Sequence, residues 1–264
     1  YNYIDMLLFN YIYNCFVVVE LKVTELKAEH IGQIQKYMNY IDKNVRKIID
    51  ETCERVGRKP EEVTLVAVSK TKPLSDIETL IKAGVDDFGE NKPQELRIKF
   101  DEVSTPVRFH QIGHLQTNKV KYIISKAVLI HSVDSLKLAQ VIEKEAAKRH
   151  IHINILIEVN YAEEESKFGV KKDEVLPLIK EISESFRHVN IRGLMTIAPF
   201  VENPEDNRPI FKGMHDLLLD IKSQNIDNVD MSILSMGMTN DYVVAIEEGA
   251  TMVRVGTAIF GERD

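Results

Sequence analysis

The sequence TLVAVS, from Thr64 to Ser69, decides the fold. Its run Leu65–Val68 is continuously apolar, whereas a strand with one face in water alternates apolar and polar residues. Such a run is typical of a parallel strand that is buried on both faces. The stretch therefore predicts a strand of a parallel sheet that helices cover.

Helical patterns flank this strand. Upstream, one helical face collects the apolar residues Ile41, Val45, Ile48, Ile49 and Val56. Gly57 can close that helix, and Pro60 stops it from resuming. Downstream, Ser75 and Glu78 predict a capping box at the start of the next helix, and Gly84 predicts its end.

The same strand and helix unit recurs along the chain. Strands are predicted to begin near Thr64, Val85, Val107, Val128, His152, Ile191, Asp230 and Thr251. Eight βα units within about 200 residues predict an α/β fold, a single closed (β/α)₈ TIM barrel preceded by an N-terminal helix. The alternative is an open doubly wound sheet. A dinucleotide-binding sheet of that kind has a glycine-rich motif after its first strand, whereas this sequence reads SKTKP there.

Composition narrows the function classes. The 264 residues are 44% hydrophobic and 28% charged, with a formal net charge of −7, which argues against a nucleic-acid binder and against disorder. Two cysteines cannot form a disulfide framework, so we expect a reducing, cytoplasmic compartment. No CxxC or HExxH spacing supports a metal site, and we expect none.

The amino terminus differs from the rest of the chain. Residues 6–21 are strongly apolar, but Asn10 and Asn14 interrupt them, and the first basic residue is Lys22. A membrane span needs about 20 apolar residues, and a secretory signal begins with a basic region. We therefore expect residues 1–37 to be an extension foreign to the domain, neither an anchor nor a signal. The domain itself is predicted to cover residues 38–264, with Met38 as its natural start.

The chemistry of such barrels lies at the carboxyl ends of the strands. Lys70 closes the first predicted strand, where a charged amine must be desolvated or paired. The lysine either extends to the rim or is an amine ready to form a Schiff base. Lys72 is a competitor, but it precedes Pro73 and lies in the predicted loop.

Two small-residue turns follow the last two predicted strands. They are SMGMTND (Ser235–Asp241) and VRVGTAIFG (Val253–Gly261). Their small or hydroxylated residues are Ser235, Gly237, Thr239, Gly256 and Thr257. These turns are either tight strand-to-helix connections or an anion site, and this part of a (β/α)₈ barrel commonly binds phosphate.

Arg254 lies between apolar neighbours in the last predicted strand, so it needs a partner. That partner is either a carboxylate such as Glu90 or a ring nitrogen of a cofactor. A Schiff-base lysine, a phosphate cup and such an arginine together describe a site for pyridoxal 5′-phosphate (PLP).

Seven stretches are similar to one known family. They are VTLVAVSKTKP (Val63–Pro73), FGEN (Phe88–Asn91), HQIGHLQTNK (His110–Lys119), VNYAEEESKFG (Val159–Gly169), RGLMTIAP (Arg192–Pro199), SMGMTNDY (Ser235–Tyr242) and VRVGTAIFGERD (Val253–Asp264). From Met38 onward, the chain resembles the pyridoxal-phosphate homeostasis proteins, which are single-domain relatives of the alanine racemase N-terminal barrel. The resemblance does not cover residues 1–37.

The resemblance implies roles for the matched residues. Lys70 would carry PLP as an internal aldimine, and Arg254 would face the pyridine nitrogen. The phosphate would be held by Ser235, the backbone around Gly237, Gly256 and Thr257. Asn91 and Met195 would lie near the cofactor.

The implied function is intracellular vitamin B6 and amino-acid or keto-acid homeostasis, by a protein that carries or buffers PLP. An arginine at the pyridine nitrogen weakens the ring as an electron sink, so we expect no robust enzymatic activity and assign no catalytic residue. PLP-dependent apoenzymes are the possible recipients, and a monomer is expected. The alternatives are a weak PLP-dependent amino-acid racemase and an interaction protein whose barrel no longer binds PLP. His110 and His114 are interpreted as core or supporting histidines, because no third metal ligand is evident.

Overall fold

The computed structural model describes residues 2–10, 15–23, 44–164 and 168–260. The predicted start Met38 and Ile41, which was assigned to the first predicted helix, lie outside these ranges, as do residues 165–167 and 261–264. The strands are β1 (Asn2–Asn10), β2 (Cys15–Val23), β3 (Thr64–Val68), β4 (Asp87–Glu90), β5 (Arg108–Gln111), β6 (Ala127–Val133), β7 (Ile153–Glu158), β8 (Val189–Met195), β9 (Val229–Met238) and β10 (Met252–Val255).

Helices alternate with strands β3 to β10. They are α1 (44–55), α2 (Leu74–Lys82), α3 (Pro93–Glu102), α4 (Leu136–Ala147), α5 (Lys172–Ser185), α6 (Arg208–Ser223), α7 (Tyr242–Glu247) and α8 (Thr257–Phe260). None of the helices in the described ranges is long and apolar enough to span a bilayer. The described part of α1 confirms the helix that was predicted before the barrel.

Strands β3 to β10 form a closed barrel in the order β10-β3-β4-β5-β6-β7-β8-β9, and every neighbouring pair is parallel. The predicted (β/α)₈ barrel is therefore confirmed, and the open doubly wound sheet is excluded. Each predicted strand start lies within three residues of an observed one. The carboxyl ends of all eight strands consequently open on one side of the barrel.

Strands β1 and β2 form a separate two-stranded antiparallel sheet. Asn2 pairs with Val23, and Asn10 pairs with Cys15, so the two strands are in register along their whole length. This hairpin lies inside the segment that the sequence sets apart from the barrel.

The helix ends follow the glycine signals but not the predicted capping box. Gly57 and Gly84 adopt φ angles of +72° and +90° just beyond α1 and α2. The capping box is wrong, because α2 begins at Leu74 with Pro73 as its N-cap and no side-chain cap bond. Ser75 therefore lies in the first helical turn, where its Oγ is 3.5 Å from the adjacent carboxylate of Asp76.

The apolar core has two parts. The larger part lies between barrel and helices and contains the buried rings of Phe88, Phe109 and Phe211. A smaller cluster, Val66, Leu129, Leu156, Met195 and Met252, fills the barrel interior. Along β3 the two parts alternate, with Leu65 and Ala67 in the outer cluster and Val66 in the inner one. Polar residues lie between this inner cluster and the carboxyl ends of the strands, and they form part of the candidate site.

Candidate functional site

The predicted site residues lie at the carboxyl ends of five adjacent strands, β8-β9-β10-β3-β4. Met195 is the last residue of β8, and Ser235 and Gly237 lie among the last four residues of β9. Arg254 lies in β10, and Gly256 and Thr257 follow this strand directly. Lys70 follows β3 after one residue, and Asn91 follows β4 directly. Residues that are up to 187 positions apart are thereby brought to one arc of the barrel mouth, because the sheet closes between β10 and β3 (257 − 70 = 187).

A buried ion pair holds the strand end that carries Lys70. The hydroxyl of Ser69 donates to Glu90 Oε1 at 2.6 Å, and Lys99 Nζ donates to the same carboxylate oxygen and to Ser69 O, both at 2.7 Å. Burial raises the pKa of Glu90, and the hydrogen bond from Lys99 opposes this shift. The half-buried Lys70 is the next residue after this anchored serine.

The amine of the competing lysine, Lys72, is hydrogen-bonded to the backbone of α8. Its Nζ donates to the carbonyl oxygen of Phe260 at 3.1 Å. Between the two lysines, Thr71 takes a left-handed φ of +64°, and its N–H donates to Glu95 Oε2 at 2.8 Å. A non-glycine residue in this conformation is uncommon and marks a tight, constrained turn directly beyond Lys70.

The carboxyl end of β9 requires glycine at position 237. Gly237 has a φ of +89°, and a Cβ built on it would lie 2.6 Å from the Ala245 methyl and 3.0 Å from Tyr242 Cα. The side chain of Thr239 then reaches the neighbouring turn, where its Oγ1 accepts from Gly256 N at 3.3 Å. The two small-residue turns therefore contact each other at the barrel mouth.

Arg254 is buried inside the barrel with 3% of its surface exposed. Its Nη1 donates to Ser235 Oγ at 2.5 Å, and its Nη2 donates to Thr196 O at 2.9 Å. Burial lowers the pKa of this guanidinium to about 10. The structural partner suggested for it, Glu90, is wrong, because that carboxylate is bound by Lys99.

Ser235 lies beneath the turn rather than at its rim. It is fully buried, and besides Arg254 its hydroxyl contacts His131 Nδ1 at 3.0 Å. Its predicted contact with phosphate stays a prediction. Thr239, by contrast, adjoins a backbone N–H of the second turn.

Glu158 is a site residue that the sequence reasoning missed. It ends β7, is 5% exposed, and its Oε2 has no hydrogen-bond partner among the residues that the structure describes. Burial, followed by the charge of Asp134, raises its pKa to about 7 against the opposing effect of Arg254. The available signal was an acidic residue that closes the apolar strand sequence INILIE.

The two histidines of the motif HQIGHLQTNK have different surroundings. His110 is 3% exposed and hydrogen-bonded inside the barrel, whereas the ring of His114 stacks on Phe168 with centroids 3.8 Å apart. Within the described ranges, no group of three or more His, Cys, Asp or Glu side chains has the geometry to hold a metal ion.

Among the described residues, cavities open at both ends of the barrel. A cavity of about 200 Å³ is lined at the carboxyl side by residues that include Asn91 and His114. A larger one, about 380 Å³, lies among the amino ends of the strands and is lined by residues that include Asp87, Arg108 and His110. The predicted site belongs to the carboxyl side.

Comparison with known proteins assigns the fold and the family. Residues 41–264 match the family model described as alanine racemase, N-terminal domain. A Pyridoxal phosphate homeostasis protein of Aquifex aeolicus is 44% identical over 216 residues, which cover 81% of this chain and 93% of that protein. The chain belongs to the pyridoxal phosphate homeostasis protein family.

Solved structures of similar chains agree with this family. PipY of Synechococcus elongatus, in a structure with PLP bound, has a TM-score of 0.71 at 30% identity and covers 81% of this chain and 100% of its own. A protein of unknown function from Bifidobacterium adolescentis has a TM-score of 0.80 at 32% identity and covers 89% of this chain and 98% of its own. The homeostasis family fold therefore accounts for the whole barrel.

The amino-terminal segment matches a second, different family model. Residues 1–57 match the family model described as YhcG PDDEXK nuclease domain. This match includes the hairpin β1-β2 and overlaps the barrel family model only over residues 41–57.

Proposed function

We propose that this chain binds pyridoxal 5′-phosphate at the carboxyl end of the barrel and carries or buffers it inside the cell. Lys70 is the proposed covalent attachment point, and Arg254 is the proposed partner of the pyridine nitrogen. Phosphate is proposed to bind the contacting turns that contain Ser235, Gly237, Gly256 and Thr257, and we add Thr239 to this set. Asn91 and Met195 are proposed to line the cofactor.

The observation that carries this proposal is the adjacency of β10 and β3. Val255 is the register partner of Ala67, so the turn at Gly256 and the lysine at position 70 leave neighbouring strands at the same level. A lysine, a turn rich in small and hydroxylated residues and a buried arginine fit the aldehyde, the phosphate and the ring of PLP. When bound, PLP supplies an electron-withdrawing ring and an amine-reactive aldehyde.

The chain's own residues favour a carrier over an enzyme. Arg254 keeps its proton at neutral pH even with its pKa lowered to about 10, so it donates to a ring nitrogen rather than protonating it. An unprotonated ring nitrogen draws electrons weakly. We therefore propose a cytoplasmic PLP carrier, monomeric, that serves PLP-dependent apoenzymes in vitamin B6 and amino-acid or keto-acid balance. The alternative is a weak amino-acid racemase.

The test is to identify the attachment point. Purified protein incubated with PLP is expected to turn yellow, and peptide mapping after borohydride reduction is expected to find the cofactor on Lys70. Lys70→Ala should abolish the labelling. The matched control Lys72→Ala should keep it, because the Lys72 amine is bound to the Phe260 carbonyl.

Two results would contradict the proposal. Label on Lys72 or on another lysine would refute the assigned attachment point, and a wild-type protein that stays colourless would support a barrel without cofactor. A racemisation rate well above that of free PLP would replace the carrier with the racemase.

The hairpin β1-β2 favours a second candidate function, confined to the amino-terminal segment. Asp5 is the register partner of Glu20, and Lys22 follows two positions later, which reproduces the acidic, acidic, lysine order that the nuclease family name denotes. We propose that residues 1–37 form a unit of separate origin outside the barrel domain of residues 38–264. Its candidate activity is Mg²⁺-dependent cleavage of phosphodiesters, because carboxylates are ligands that Mg²⁺ prefers.

A further inference from the structure

A chain of hydrogen-bonded side chains crosses the interior of the barrel. Asp87 Oδ1 is 3.0 Å from His110 Nε2, and His110 Nδ1 is 3.0 Å from His131 Nε2. His131 Nδ1 is 3.0 Å from Ser235 Oγ, which is 2.5 Å from Arg254 Nη1. All five residues are at most 7% exposed. The chain joins the cavity at the amino ends of the strands to the arginine of the proposed PLP site.

The two ends of this chain fix the direction of its hydrogen bonds. Arg254 can only donate, since a guanidinium has no acceptor. Asp87 can only accept, because it is ionised: burial raises the pKa of this carboxyl, but the hydrogen bonds from Arg108 and His110 outweigh burial and lower it to about 2. A neutral imidazole has one donor and one acceptor nitrogen.

With both imidazoles neutral, one arrangement satisfies every link. Arg254 donates to Ser235, and the Ser235 hydroxyl donates to His131 Nδ1. His131 Nε2–H donates to His110 Nδ1, and His110 Nε2–H donates to Asp87. Burial lowers the pKa of His131 well below its ordinary value, and the positive charge of Arg254 lowers it further. A cationic His110 would reverse His131 and leave the buried Ser235 hydroxyl hydrogen without an acceptor, which is costly.

We propose that Asp87, His110, His131 and Ser235 form a one-directional relay that positions Arg254 for the cofactor ring. Hydrogen bonds that run in one direction polarise each other, so the carboxylate at the far end strengthens the acceptor that holds the guanidinium. This inference rests on the proposed PLP site. Asp87, His110 and His131 are positioning residues, since they act on the cofactor through Arg254. Ser235 links them to that arginine and also belongs to the proposed phosphate site.

The first test needs no cofactor. In ¹⁵N-labelled protein without PLP, long-range ¹H–¹⁵N spectra at neutral pH are expected to show His110 and His131 neutral and protonated on Nε2. Asp87→Asn lies at the opposite end from Arg254 and is expected to change the tautomer or protonation of both histidines. A cationic His110, or an Nδ1-protonated His131, in the wild type would overturn the relay.

The second test measures PLP release. Ser235→Ala and His131→Gln are expected to release PLP faster than wild type by roughly 10-fold or more, the cost of one charge-assisted hydrogen bond. The two changes should be non-additive, so the double variant should release PLP at the rate of Ser235→Ala alone. The exposed His152 is not one of the five hydrogen-bonded residues. The control variant His152→Gln should therefore release PLP at the wild-type rate.

The two tests distinguish the possible failures. If wild type binds PLP but His131→Gln releases it at the wild-type rate, or if the two changes add independently, the relay is refuted and the PLP site stands. If wild type binds no PLP, the proposed function fails, while the tautomer measurement still decides the hydrogen-bond order. Should His131→Gln not fold, Ser235→Ala and Asp87→Asn carry the release test.

Discussion

At the scale of single residues, burial and residue type together set the charges at the barrel mouth. Arg254 and Glu158 are both nearly inaccessible to solvent, and burial shifts the pKa of each toward the neutral form, to about 10 and about 7. The arginine stays charged because its ordinary pKa is so high. The carboxyl is brought into the physiological range, so its charge varies with pH at the proposed site.

This shift predicts a pH-dependent stability. The folded state keeps the Glu158 proton up to a pH of about 7, whereas the unfolded chain loses it near its ordinary pKa of 4.5. Stability from this group is therefore present below pH 4.5 and is lost as the pH rises through 7, by roughly 3 kcal/mol. Urea unfolding at pH 5 and pH 8 should show that Glu158→Gln gains stability relative to wild type at the higher pH. An equal difference at both pH values would contradict the assigned shift.

At the scale of elements, the carboxyl end of β9 depends both on the backbone conformation of Gly237 and on its close packing against α7. Gly237 and Gly84 have nearly identical φ angles, +89° and +90°, but their surroundings differ. A Cβ at position 84 would meet no heavy atom within 4 Å in the described chain, whereas at position 237 it would meet α7 at 2.6 Å. Substitutions at Gly84 and Gly237 therefore distinguish the cost of the left-handed conformation from the cost of steric overlap.

Alanine at these two positions should therefore have different effects. Gly84→Ala is expected to cost about 1 kcal/mol of unfolding free energy through the left-handed conformation alone. Gly237→Ala is expected to cost a further 1–3 kcal/mol, roughly, through overpacking against Ala245 and Tyr242, and to weaken PLP retention. Denaturant unfolding and PLP titration of both variants check this. Similar losses in stability and unchanged PLP binding would show that the turn relaxes freely.

At the scale of the whole molecule, the barrel and the hairpin are separate sheets. Helix α1 belongs to the barrel, since Val45, Ile49 and Cys53 are buried in the same core cluster as the barrel strands. The two family models overlap over this helix, at residues 41–57. A boundary before α1 therefore preserves the core, and a boundary after it does not.

Truncation should reveal this boundary. A chain that begins at Met38 is expected to bind PLP like the full chain and to melt within about 2 °C of it. A chain that begins after Gly57 should lose several kcal/mol of unfolding free energy, because the core loses Val45, Ile49 and Cys53.

The candidate activity of the hairpin needs its own assay. Nicking of plasmid DNA with Mg²⁺ by the full chain, but not by the chain that begins at Met38 or by Glu20→Gln, would assign this activity to the hairpin. Loss of PLP binding on truncation at Met38 would contradict the two-unit division.

Much of the fold could be predicted locally. The start of each barrel strand and the alternation of helix and strand follow from hydrophobic periodicity, whereas strands β1 and β2 were not predicted. Gly57 and Gly84 end helices because few other residues adopt a positive φ at low cost. The capping box failed for a local reason as well, since Pro73 is the N-cap and the helix begins at Leu74, one residue before Ser75. The positions of the candidate residues at strand ends were predictable from the barrel topology, whereas their roles come from the family resemblance and stay a prediction.

The sequence by itself determined the parallel barrel, its helix ends and the strand ends that carry Lys70 and the two small-residue turns. Only the tertiary structure decided which buried polar groups meet: Glu90 with Lys99, Ser235 with Arg254, and His131 between Ser235 and His110. The physical reason is that periodicity encodes which face of an element is buried. The partners inside a closed barrel come from strands far apart in sequence, and their pairing depends on register, strand order and the direction of each donor.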